Sequence, residues 1–125
     1  PHRVPLAPPA VEVVKGLHSI TGPGRLLFPS VRSAHRCMSE NTINAALSRI
    51  GFDSDVMTGH GFRHMASTLL NELGYDENVV DRQLAHVRQG VKGVYNHAEF
   101  LTTRRIMMQA WADHLDTLRS ITHQT

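Results

Sequence analysis

Four side chains in the second half of the sequence have the types and spacing that chemistry needs. His60 and Arg63 lie three residues apart in the run Thr58-Gly59-His60-Gly61-Phe62-Arg63, so on a helix both leave the first turn on the same side. A helix start offers unpaired backbone N–H groups and the positive end of the dipole, which suits an anionic ligand. His86 follows the next helical stretch, and Tyr95 comes nine residues later in a segment holding Gly90 and Gly93. Arginine holds two phosphate oxygens in its fork, histidine donates or accepts a proton, and a tyrosine hydroxyl attacks phosphorus. Together the four fit phosphoryl transfer.

The elements that must position them are mostly helical. Pro8-Pro9 opens a helix in which Val11, Val14 and Leu17 share a face. Thr21 to Arg36, with Gly22, Pro23, Gly24 and Pro29, reads as an exposed loop. Ser39 is a good N-cap for a second helix carrying Ile43, Leu47 and Ile50, closed by Gly51. Thr58 caps a third, with Phe62, Met65 or Ala66, Leu69 and Leu73 on its buried stripe and Gly74 as its stop. Asp76 caps a short fourth, with Val79, Val80 and Leu84 inward. The longest runs from about Ala98 to Arg119, with Leu101, Met108, Trp111, Leu115 and Leu118 at helical spacing. His2 to Leu6 reads as a short strand. The expected fold is mainly α, with at most a remnant β-strand at the N-terminus.

Composition bounds the function. The 125 residues suit one domain with a real core. The 41% hydrophobic and 19% charged residues lack a disorder signature. Net charge is +2 and the sequence pI about 9.2, a mild basicity that permits a polyanionic partner without demanding one. Cys37 is the only cysteine, which excludes an intrachain disulfide and a cysteine metal cluster. No apolar run approaches membrane-spanning length. A soluble, intracellular protein is expected, and Pro1 in place of Met suggests a chain that begins inside a longer gene product.

Four runs resemble the tyrosine recombinases of the phage and genomic-island integrase type. His60-Gly61-Phe62-Arg63, continuing through Ala66-Ser67-Thr68-Leu69-Leu70-Asn71-Glu72, resembles their His-x-x-Arg box. Gln83-Leu84-Ala85-His86 resembles the next box, where the family has His or Trp after a Leu-Gly or Leu-Ala pair. Val94-Tyr95-Asn96-His97-Ala98-Glu99-Phe100 resembles the nucleophile box, and Arg104 to Asp113 the helix after it. Pro1-His2-Arg3-Val4-Pro5-Leu6 is similar to the last strand of the family's small sheet. Each box alone is a weak signal; four in order and at the right spacing are a strong one.

The resemblance implies that residues 1–125 are a partial catalytic domain, lacking its first part and the amino-terminal DNA-binding domains. It implies site-specific DNA recombination through a 3′-phosphotyrosine intermediate, with double-stranded attachment sites and further protomers of a synaptic complex as partners. The setting would be the bacterial cytoplasm, at the nucleoid when acting. Tyr95 would be the nucleophile, Arg63 and His86 would hold the non-bridging oxygens, and His60 would assist proton transfer. No metal or nucleotide cofactor is called for, because the phosphotyrosine bond stores the energy of the broken linkage. The family also needs an upstream arginine and lysine, and neither Arg3 nor Lys15 stands at those places. The contrasting reading is a non-catalytic DNA-binding or assembly remnant of a truncated integrase. A further expectation is that His60, Arg63 and His86 converge on one concavity, with Tyr95 displaced from it in the absence of DNA.

Other residues carry blander readings. His60 and His64 have the i,i+4 spacing of zinc ligands, but no glutamate lies between them and Arg63 would repel a cation. Tyr75, between the Gly74 stop and the Asp76 cap, reads as a half-buried turn residue. Met107 and Met108 beside Trp111 read as packing. For Arg104 and Arg105, phosphate contact and a solvated face stand level, while Arg82 and Arg88 tilt toward DNA because His86 lies between them.

Overall fold

A computed structural model describes residues 2–86 and 99–122. Its elements run α1 (Pro8–Thr21), β1 (Pro29–Ser30), β2 (Ser33–Cys37), α2 (Asn41–Arg49), α3 (Gly59–Glu72), α4 (Glu77–Leu84) and α5 (Leu101–Thr122). The mainly α expectation is borne out. The chain divides into two compact units, one of Val11–Met65 and one of Pro1–Ala10 with Ala66–Thr125. No described helix is long and apolar enough to cross a membrane.

In the Val11–Met65 unit, the stretch expected to be a loop forms a hairpin. β1 and β2 pair antiparallel, Pro29 opposite Cys37 and Ser30 opposite Ser33, with an irregularity between Pro29 and Ser30. The Met38 N–H donates to the Phe28 carbonyl and extends the pairing by one step. Proline is tolerated because a two-stranded ribbon consists only of edges. The ribbon is nearly as exposed as a loop, which is why no core-facing alternation marks it in the sequence. α2 begins two residues after Ser39, whose hydroxyl lies 3.0 Å from that of Thr42. Its exit matches expectation: Gly51 takes φ 96 and the Phe52 N–H returns to the Leu47 carbonyl. Ile43 and Ile50, expected inward, are 50% and 70% exposed.

The other unit holds every fully buried residue described. Leu70 from α3, Val79 and Val80 from α4 and Met107 from α5 form its centre, with Tyr75, Leu84, Phe100, Met108 and Trp111 packed around them. Each fully buried side chain of this size contributes about 1.5–3 kcal/mol by leaving water. Two helix ends fix the path through this core. Gly74 adopts φ 87, and the Tyr75 N–H reaches back to the Leu70 carbonyl at 3.2 Å, closing α3 in a Schellman turn. Asp76 then caps α4, its carboxylate accepting from the Asn78 N–H at 2.8 Å.

The expected strand at His2 to Leu6 does not form. It pairs with no strand among the described residues, and two of its carbonyls serve side chains instead. The Arg104 guanidinium is wholly buried. Its Nη2 donates to the Arg3 carbonyl at 2.7 Å, its Nε to Gln83 Oε1 at 2.8 Å and its Nη1 to the Glu99 carbonyl at 3.1 Å. Gln83 Nε2 in turn donates to the Pro5 carbonyl at 3.4 Å. Burial draws the pKa of Arg104 below the ordinary arginine value, Arg82 acts in the same direction, and Glu99 opposes both. Neither reading offered for Arg104, phosphate contact or solvated face, holds, whereas Arg105 is exposed.

Arg104→Met should therefore lower the unfolding free energy by about 3 kcal/mol, since each buried acceptor left without a donor costs about 1–3 kcal/mol. Arg105→Ala, one residue along on the exposed side, should stay within about 0.5 kcal/mol. Urea unfolding of the two variants checks the contrast, and small, equal losses would contradict it.

Candidate active site

His60 and Arg63 stand on the opening turn of α3, and the local sequence builds that turn. Thr58 is the residue before the helix; its hydroxyl accepts from the Gly61 N–H at 2.9 Å and its carbonyl from the Phe62 N–H at 3.1 Å. The first N–H of the helix, from Gly59, donates to Asn44 Oδ1 on α2 at 2.9 Å. Both glycines lie close to neighbouring side chains. A Cβ on Gly61 would lie 2.9 Å from the Met57 sulfur, and one on Gly59 would lie 3.3 Å from Ile43 Cγ2. The turn that carries the pair is thus anchored at two of its N–H groups, one by its own cap and one by the neighbouring helix. His60 is exposed and Arg63 half-buried.

His64 lies one turn beyond His60 on the same helix, and among the described residues no group of three His, Cys, Asp or Glu could hold a metal ion.

His86 belongs to the other unit and is set by the end of α4. Ala85 turns left-handed, φ 53 and ψ 36, and the His86 N–H returns to the Asp81 carbonyl at 2.9 Å. The reversal lays the imidazole against the side chain of Asp81, with Nδ1 3.2 Å from Oδ1. Asp81 was not singled out by the sequence. The available signal was an acid five residues before a histidine at a helix end, which matters only once the turn is known to be left-handed. The second omission is Arg104 with Gln83. Here the signal was legible, because Leu101, Arg104, Met108 and Trp111 recur at alternating steps of three and four. Arg104 occupies an apolar slot of the stripe.

Tyr95 lies outside the described residues, as do Arg88, Gly90, Gly93 and His97. Tyr75 is half-buried against the apolar core, as its turn position suggested. Met107 is buried and Met108 and Trp111 pack beside it, in accord with the packing reading. Arg82 is half-buried, its Nε without a hydrogen-bond partner among the described residues.

Comparison with known proteins gives the class: the Phage integrase family model matches residues 1–101, and the chain belongs to that family. It is 44% identical over 123 residues to the integrase of Enterobacteria phage P4, covering 95% of this chain and 28% of that protein. It is also 44% identical over 119 residues to the prophage integrase IntZ of Escherichia coli strain K12, covering 94% and 29%. To the integrase of Shigella phage Sf6 it is 39% identical over 117 residues, covering 92% and 30%. The chain thus spans under a third of the length of these curated relatives. No solved structure matches it.

Thr58→Ala should cost about 1 kcal/mol, the usual loss when a threonine cap is removed, and Thr58→Ser should recover most of it. Thermal unfolding of both variants checks this. Equal stabilities for alanine and serine would remove the cap from the account of how the His60 turn is held.

Proposed function

We propose that the chain is the C-terminal part of the catalytic domain of a site-specific DNA recombinase, cleaving and rejoining strands through a 3′-phosphotyrosine intermediate. The observation that carries the reading is the placement of His60 and Arg63 together on one anchored helix start, in a member of the Phage integrase family that also keeps His86 and Tyr95. Relatives bearing the names integrase and prophage integrase support it.

In this reading the Tyr95 hydroxyl attacks the scissile phosphorus. A bond forms between its oxygen and phosphorus, and the bond from phosphorus to the 5′ oxygen breaks. The phenolic proton passes toward His60, and the departing 5′ oxygen takes a proton from the upstream lysine that the family pattern calls for. Arg63 grips two oxygens with its planar fork, and His86 donates to a non-bridging oxygen, so that charge gathering on phosphorus is met by fixed donors. The reverse attack by a 5′-hydroxyl of the exchanging strand releases the tyrosine. One phosphate ester replaces another, which is why no cofactor enters. His86 would reach the phosphate held by His60 and Arg63 once the site is assembled on DNA. The partners are double-stranded attachment sites and further protomers of a synaptic complex, in the bacterial cytoplasm at the nucleoid.

One observation favours the second reading, a non-catalytic DNA-binding or assembly piece. Neither Arg3 nor Lys15 is placed to serve as the further arginine and lysine. Arg3 faces the Glu99 carboxylate at 3.7 Å and gives its carbonyl to Arg104, and Lys15 pairs with Glu12 at 2.8 Å.

In the full-length protein carrying this chain, Tyr95→Phe should abolish covalent attachment to a suicide duplex of the cognate site while leaving DNA affinity nearly intact. Tyr75→Phe should leave attachment unchanged. A denaturing gel for protein–DNA adducts decides it, and an adduct with Tyr95→Phe would sink the proposal. The 125-residue chain alone should form no adduct, since losing even one charge-stabilising donor costs about a hundred- to a thousand-fold. Its DNA binding should weaken steeply between two salt concentrations, because phosphate contacts dominate.

A further inference from the structure

We infer that Asp81 is a positioning residue for His86: its carboxylate fixes which ring nitrogen faces the protein and which is turned outward. The inference rests on the role proposed above for His86 and adds a residue to it.

The geometry comes from one turn. α4 ends at Leu84, and the left-handed Ala85 sends the chain back over the helix end. A non-glycine residue in that conformation costs about 1–2 kcal/mol, so the surroundings must hold it there. The Ala85 N–H returns to the Arg82 carbonyl at 3.4 Å, and Asp81 adds two contacts to the residue that follows. The Asp81 carbonyl accepts the His86 N–H at 2.9 Å, and Asp81 Oδ1 lies 3.2 Å from His86 Nδ1. The helix that carries Asp81 is itself fixed, by the buried Val79 and Val80 and by the hydrogen bond from Arg104 to Gln83. The Asp81 side chain is only 19% exposed, so solvent weakens its pairing with the imidazole less than it would at an open surface.

The chemical consequence follows from what each atom can do. An ionised carboxylate only accepts, so Nδ1 must carry a proton to face it. In a neutral ring Nε2 would then hold a lone pair, which repels a phosphate oxygen. Donation to a non-bridging oxygen therefore requires a proton on Nε2 as well. Asp81 therefore orients His86 with Nδ1 inward and Nε2 outward.

The test uses the full-length protein in single-turnover cleavage of a suicide duplex, with DNA affinity and thermal midpoint measured on the same samples. Asp81→Ala should slow adduct formation about ten- to a hundred-fold, the range typical when an outer partner orienting a histidine is lost, with DNA affinity unchanged. Asp81→Asn keeps the size but can turn its amide NH2 as well as its oxygen toward Nδ1, so it no longer fixes the tautomer; it should fold where alanine does not and still slow the reaction. The decisive readout is coupling. In a His86→Ala background, either Asp81 variant should cause no further slowing, since its effect runs through the ring. Equal slowing with and without His86 would overturn the inference, as would a normal rate in Asp81→Asn beside a slow His86→Ala. If His86→Ala itself reacts at the normal rate while Tyr95→Phe is dead, the role proposed for His86 falls and this inference with it. If His86→Ala is slow, a failure belongs to Asp81 alone.

Discussion

The described core is organised around a charge that has no water. Arg104 sits where an apolar side chain would be expected, on the inward stripe of α5, and a buried guanidinium is tolerated only if the protein replaces its hydration. It does so with dipoles: one side-chain amide and two backbone carbonyls, drawn from Arg3, Gln83 and Glu99. These groups come from the start of the chain, from α4 and from the residues leading into α5. The same demand engages residues 2–6, whose Arg3 and Pro5 carbonyls accept from Arg104 and Gln83. It also joins α4, which presents His86, to the segment through which the chain enters α5 after Tyr95.

The two described parts of the candidate site use opposite ends of helices. His60 and Arg63 occupy a start, where the unpaired groups are donors and the field is positive. His86 occupies an end, where the unpaired groups are acceptors and the field is negative. The first arrangement sets both side chains beside backbone donors, and the second sets the imidazole beside backbone acceptors. In both, the end is made rigid before it is used: by Thr58 and Asn44 at the start of α3, and by the left-handed Ala85 with Asp81 at the end of α4.

Much of this was legible in the sequence wherever one residue type has one physical job. The Thr58 cap, the Gly74 stop and the Asp76 cap placed α3 and α4, and the pairing of His60 with Arg63 on one turn followed from their spacing. The hairpin of Pro29 to Cys37 was not legible, because an exposed two-stranded ribbon has no buried face to impose alternation. Ile43 and Ile50 show the converse: a helical stripe reports that a face is apolar, and does not name what covers it. Arg104 was misread because a charged residue was taken for a surface one, although it stood in step with Leu101, Met108 and Trp111. The contact of Asp81 with His86 depends on a backbone reversal at an alanine, and alanine gives no warning of one.

That reversal bears on which residues position 85 can accept. The box that this stretch resembles carries either glycine or alanine before its histidine, and φ 53 supplies a reason. Glycine enters the left-handed region freely. Alanine enters at modest strain, while a β-branched residue is a genuine outlier there. The alternation of two small residues is thus a backbone requirement rather than a matter of room. Glycine at 85 would remove the strain but leave the turn with more conformations to give up on folding, whereas valine or isoleucine would drive the backbone toward other angles and carry the imidazole away from Asp81. The smallest side chain in the box sets the direction of the one that follows it.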